Sequence, residues 1–174
     1  MFTLVKIADT IELDPSTFGL PHQQALHQEI NKKYANRVLT DVGLCIALYD
    51  LQTASDGLLR PGDGSIYIKC EFRLIVFAPF PGETLVGWIS SCTEEGLNVR
   101  MEFFDNVFIP KAMLFEGTQF IVQEQAWVWK NDEYSLYLDI NEKIRFRVEE
   151  VVFDKSMRIV ASAQIDGMGL ISWW

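Results

Sequence analysis

FRLIVFAPFPGETLVGWISSCTEEGLNVRM, Phe72–Met101, is the stretch on which the reading of the fold turns. Leu74–Ala78 is an unbroken apolar run, the pattern of a strand buried on both faces. Pro79-Phe80-Pro81-Gly82 stops it, and Glu83–Ser91 opens a second strand at once. Two strands set back to back across a proline turn read as a rigid joint between two small domains, residues 1–80 and 81–174.

Upstream of the joint, Phe2–Leu13 is rich in β-branched and aromatic residues and predicts a strand, which Asp14-Pro15-Ser16 ends. Pro21 sits where a first-turn proline is tolerated, and a helix is expected from there to about Asn36. Leu26, Ile30 and Tyr34 form a narrow apolar stripe along it. Val42–Leu51 is apolar on both faces and predicts a central strand. The polar loop Gln52–Ser65 follows, with Pro61-Gly62-Asp63-Gly64 as a turn of demanding backbone angles. Ile66–Ala78 then returns as a strand. One helix over a small sheet makes this half an α+β unit resembling a shortened ferredoxin-like fold.

Downstream, the pattern is all strand. Leu97, Val99, Met101 and Phe103 share one face of an expected Leu97–Phe103 strand, opposite Asn98, Arg100 and Glu102. Val107–Met113 contains Pro110, the mark of an edge or a strand end. Ala126–Lys130 and Tyr134–Asp139 flank a hairpin turn. Lys143–Val148 alternates cleanly, with Ile144, Phe146 and Val148 on one side and Lys143, Arg145 and Arg147 on the other. Arg158–Gln164 completes the set. Short strands at this spacing predict a small closed barrel of the OB type.

Composition narrows the function. The chain is 49% hydrophobic and 22% charged, a globular balance. No apolar run approaches the roughly 18 residues of a membrane span, and Met1–Ile7 lacks the features of a signal peptide; no membrane partner is expected. Cys45, Cys70 and Cys92 are odd in number and lie in apolar strands, so reduced core thiols are expected. The net charge of −9 falls mainly on residues 81–174. Overall charge therefore disfavours nucleic acid, whose phosphates dominate affinity, and any such binding needs a local basic face.

Catalysis and cofactors find no support. His22 and His27 have no ligand partners at metal spacing, no nucleophile, P-loop or dinucleotide motif occurs, and Gly62-Asp63-Gly64 and Gly167-Met168-Gly169 read as turns. The best functional candidate is the outward row Lys143, Arg145 and Arg147 with Arg100 and Arg158, because OB barrels bind single strands on a basic face studded with aromatics. The alternative is an ordinary polar strand face neutralised by nearby glutamates. Trp127, Trp129, Trp173 and Trp174 suit packing a hairpin or an interface better than stacking on bases. The pair Trp173-Trp174 is expected to dock on the barrel or the joint.

Longer motifs carry a resemblance. NKKYANRV (Asn31–Val38), VGLCIALYD (Val42–Asp50), PGDG (Pro61–Gly64), FRLIVFAPFPGETLVGWI (Phe72–Ile89), AWVWK (Ala126–Lys130) and GMGLISWW (Gly167–Trp174) together resemble the larger stalk subunit of eukaryotic and archaeal RNA polymerases, the subunit-seven or E-prime family, and most of all its RNA polymerase III version. The resemblance implies a truncated ribonucleoprotein-like tip followed by an OB barrel, with no catalytic role and a nuclear location. It implies a heterodimer with a smaller helical subunit, contacts with initiation factors, and single-stranded RNA as a partner. The tip would meet the polymerase core at the base of the clamp through Leu58, Leu59, Pro61, Gly62, Asp63 and Gly64. The family's RNA-binding barrels carry an aromatic where this chain has Asn98 and a histidine where it has Ile109, so Phe104 and Phe108 are the expected substitutes. The segment Phe153–Arg158 is also short beside the polar insertion that polymerase III relatives can carry there. The remaining alternatives are a free-standing OB-fold RNA-binding protein and the same subunit of a sibling polymerase.

Overall fold

A computed structural model describes all residues, 1–174, as two compact units, Met1–Ala78 and Pro79–Trp174. No helix is long and apolar enough to cross a membrane.

In the first unit, β1 (Phe2–Leu13) is followed by the helix α1 (His22–Tyr34), β2 (Val38–Leu39), β3 (Gly43–Ala54), β4 (Leu58–Leu59) and β5 (Ile66–Phe77). The sheet order is β1-β5-β3-β2, every pair antiparallel, with β4 added to β5 inside the segment expected to be plain loop. β1 and β5 pair without a slip from Phe2↔Phe77 to Leu13↔Ile66. Period-2 alternation then sets one face of the sheet: Ile68, Cys70, Phe72, Leu74 and Val76 of β5 are all buried, against Ala25, Leu26 and Ile30 of α1.

The helix is shorter than expected at its C-terminal end. Ala35 is extended, Asn36 takes a left-handed φ of +60°, and Asn36 N donates to Cys45 O at 2.8 Å, returning the chain to the sheet. Two side chains fasten α1. Asn31 Oδ1 accepts from Leu48 N at 2.7 Å, where irregular pairing with β5 interrupts the β3 ladder. Tyr34 Oη donates to Asp9 Oδ2 at 2.6 Å, an oxygen that Lys33 Nζ also reaches at 2.5 Å.

The second unit holds β6 (Thr84–Thr93), β7 (Gly96–Arg100), β8 (Val107–Pro110), β9 (Thr118–Ile121), β10 (Ala126–Lys130), β11 (Ser135–Leu138), β12 (Lys143–Phe153), β13 (Met157–Ser162) and β14 (Gly169–Leu170). β6-β7-β8-β13-β12 pair in a ring, because β12 returns to β6, and β8–β13 is the one parallel pair. A five-stranded closed barrel in this order fits an OB fold. Leu97, Val99, Ile109, Ile144, Phe146, Val148 and Ile159 fill it, each fully buried. Gly87 faces the same way where β6 and β7 approach: a Cβ there would meet the Arg100 carbonyl at 2.7 Å.

Two strand ends differ from expectation. β7 stops at Arg100 because Met101 N turns back to Phe104 O at 2.6 Å, so Glu102 and Phe103 leave the alternation. β8 ends at Pro110 and continues as a short 3-10 helix, Lys111–Met113. The expected hairpin gains a third strand, giving the meander β11-β10-β9 between β8 and β12. Trp127 is buried beneath it and donates from Nε1 to Thr93 O at 2.9 Å.

Candidate nucleic-acid interface

Strand register builds the candidate face. Trp88 on β6 pairs with Arg100 on β7 to one side and with Lys143 on β12 to the other. All three side chains point away from the barrel core, since their neighbours Gly87, Ile89, Val99 and Ile144 are buried. Arg100 Cζ lies 5.8 Å and Lys143 Nζ 5.6 Å from the centre of the Trp88 ring. The result is a cation–indole–cation row, in which each contact is worth roughly 0.5–1 kcal/mol at an exposed site. Asn141, at a left-handed φ of +68°, sets Oδ1 3.5 Å from Arg100 Nη2 at the end of the row.

The next outward row on the same strands is Ser91–Asn98–Phe108. Asn98 Nδ2 donates to Ser91 Oγ at 2.9 Å, and Phe108 is half-buried beside it, between Asn98 and Val160. A cationic and aromatic row therefore crosses β12, β6 and β7, and a polar row beside it ends on Phe108 of β8. A half-buried ring that faces outward between two cations is suited to stacking a base while its phosphates are neutralised.

The other expected residues are placed differently. Arg145 Nη1 donates to Gly167 O at 3.1 Å and so braces the turn before β14. Arg147 is paired with Glu149, Nη2 to Oε1 at 2.9 Å and Nε to the same oxygen at 3.0 Å. Local carboxylate neutralises that position. Arg158 is exposed on β13 opposite Val152, at the far end of β12 from Lys143 and roughly 30 Å along the strand at 3.4 Å per residue. Phe104 is buried, so its ring is not presented for stacking. Trp88, which sequence reasoning passed over, was detectable from the period-2 alternation of β6.

At the other expected site, Leu58 and Leu59 are 71% and 67% exposed, apolar side chains on a short hairpin. Asp63 shapes the turn behind them: Oδ1 accepts from Ser65 N and Oδ2 from Tyr67 Oη, each at 3.0 Å. Gly62 and Gly64 take φ of +110° and +73°, the conformations a β-carbon resists. Pro61 through Gly64 are all exposed. Trp173 packs on Phe115 with centroids 6.0 Å apart, and Trp174 stays two-thirds exposed while its Nε1 is tied to Met168 O.

Comparison with known proteins agrees with this architecture. Residues 83–157 match the family model for RNA polymerase III subunit Rpc25, and residues 8–64 match the SHS2 domain found in the N terminus of Rpb7p, Rpc25p and MJ0397. The chain is 43% identical over 211 aligned positions to DNA-directed RNA polymerase III subunit RPC8 of Saccharomyces cerevisiae, covering all of both chains. It is 41% identical to the RPC8 of Schizosaccharomyces pombe, again over both full chains, and 35% identical to that of Bos taurus over all of this chain and 98% of the other. A chain of 174 residues aligned over 211 positions is gapped against the yeast protein. The hairpin from Phe153 to Met157, closed by Asp154 N donating to Ser156 O at 3.1 Å, is one place where this chain turns tightly. With full-length identity above the level at which family is in question, and both units matched, the chain belongs to the RNA polymerase III subunit Rpc25 family.

Proposed function

We propose that this chain is the larger stalk subunit of a nuclear RNA polymerase III, a non-catalytic component that pairs with a smaller helical subunit, acts in initiation and binds the emerging single-stranded RNA on its barrel. The observation that supports it best is the likeness to RPC8 along the whole of both chains. Within this reading the first unit is a truncated ribonucleoprotein-like tip. Its Leu58–Leu59 hairpin, apolar and exposed and held by Asp63, inserts into the polymerase core at the base of the clamp. The Arg100–Trp88–Lys143 row takes RNA, with Trp88 stacking and the two cations on phosphate.

The test is purification of the tagged chain from its own cells, followed by identification of what accompanies it. The remaining subunits of RNA polymerase III, in stoichiometric amount, are the expected result. Recovery with a different polymerase, or as a free monomer that binds RNA tightly, would overturn the assignment.

A further inference from the structure

A cavity of about 270 Å³ opens on the second unit, walled by Phe115, Trp129, Leu136, Asp166, Trp173 and Trp174. It shares no lining residue with the Trp88 row, and its chemistry is independent of the polymerase assignment. Phe115 and Trp173 meet at 45° over Gly169, where a Cβ would come within 2.8 Å of Phe115 and 3.1 Å of Trp173. Only glycine, at a φ of +92°, lets the two rings close there. Trp129 Nε1 donates to Glu116 O at 2.9 Å, and Trp174 Nε1 donates to Met168 O at 3.0 Å. Both N–H edges are thereby spent on backbone, so these indoles offer a ligand carbon and π surface. Asp166 is exposed and has no hydrogen-bond or ion-pair partner within the chain.

Aromatic faces are electronegative, and a free carboxylate adds a full negative charge, so the matched ligand is a cation. A primary ammonium brings three N–H donors, and the cavity has one side-chain acceptor group to meet them, Asp166. The donors left over that turn toward the walls would meet ring faces, which are weaker acceptors than water. A quaternary ammonium has no donor to strand and turns methyl groups toward the rings. The volume falls below the roughly 300 Å³ at which small-molecule pockets begin, which suits a head group carried in on a side-chain stem. We propose that this cavity binds a trimethylated lysine side chain of a partner protein.

The full chain labelled with 5-fluorotryptophan carries five reporters, Trp129, Trp173 and Trp174 in the cavity and Trp88 and Trp127 outside it. The probes are one short peptide with trimethyllysine, the same peptide with unmodified lysine, the same peptide with the neutral tert-butyl analogue, and free choline. Saturable shifts of the three cavity signals alone are expected with the trimethyllysine peptide, and about tenfold weaker binding of the other three probes. Asp166→Asn, which breaks no contact, is expected to weaken the trimethyllysine peptide about threefold while leaving Trp88 and Trp127 unshifted. Equal binding of the neutral analogue would reduce the cavity to an apolar slot and overturn the proposal. So would choline binding as tightly as the peptide, which would assign the cavity to a free small molecule. A response that fails to saturate would leave no site at all.

Discussion

Trp88 lies between two cations because strand pairing puts it there, and its neighbours on β6 explain why its ring stays outside: Gly87 and Ile89 fill the inward positions. Loss of the ring removes a stacking surface without opening the core. Trp88→Ala is therefore expected to weaken single-stranded RNA binding by about 1–3 kcal/mol in a fluorescence-anisotropy titration, with a loss of stability of about 1–2 kcal/mol from the two cation–indole contacts. Replacing Arg100 and Lys143 together by Gln should flatten the salt dependence by about 1.4 log units per log unit of salt. Arg147→Gln should change neither, because Glu149 already holds that guanidinium. If the Arg147 variant and not the Trp88 variant lost affinity, the RNA face would lie elsewhere on the barrel. The alternation of Lys143–Val148 shows in the sequence which side chains point outward. It does not show what each one meets, because the Gly167 carbonyl that engages Arg145 comes from a turn far along the chain. Phe104 was misjudged for a related reason. An aromatic beside a turn reads as available, and only the Met101–Phe104 reversal folds it inward.

At the scale of the element, α1 is a short helix with no side-chain N-cap, and it depends on what it touches. The Tyr34–Asp9 hydrogen bond ties its last turn to β1. Burial raises the Asp9 carboxyl, but hydrogen bonds from Lys33, Tyr34 and the Thr10 amide outweigh that and hold it below 3.8. The Tyr34 hydroxyl is pushed up, by burial first and then by Asp9. A carboxyl lowered in the folded state adds stability above its unfolded value and loses it as pH falls through the folded one. Tyr34→Phe should therefore cost about 1 kcal/mol in urea denaturation at pH 7, with the difference from wild type shrinking below about pH 3.8. A constant difference across that range would exclude the carboxylate as the partner that matters. The long, regular elements were legible because periodicity and punctuation agree there: β1 and β5 begin and end within a residue or so of their apolar runs. The two-residue strands β2, β4 and β14 were not, since so short a strand has no period to read, and each exists because a neighbouring strand offers it a ladder.

Across the whole molecule, charge and thiols behave in ways the local sequence does not announce. On a chain of net charge −9, Arg100 and Lys143 make a local basic patch beside Trp88, and under the proposed function an encounter with RNA would be steered by that patch against a repelling background. Cys45, Cys70 and Cys92 are all buried, and burial raises the pKa of each thiol, leaving little thiolate to react. Ellman's reagent at pH 8 is expected to label none of the three within minutes in native buffer and all three in guanidinium. A single fast thiol would identify the unit that opens first. Closure of the barrel also bears on how the chain is made. β13 pairs with β12 along one edge and with β8 along the other, so nothing before Met157 can complete the ring. During synthesis the free edges of β8 and β12 stay unpaired until that strand emerges, an interval in which they can capture other strands. Ribosome pausing or truncation ahead of β13 would thus leave a half-built cylinder with two sticky margins, a species that the cell must shield with chaperones or destroy.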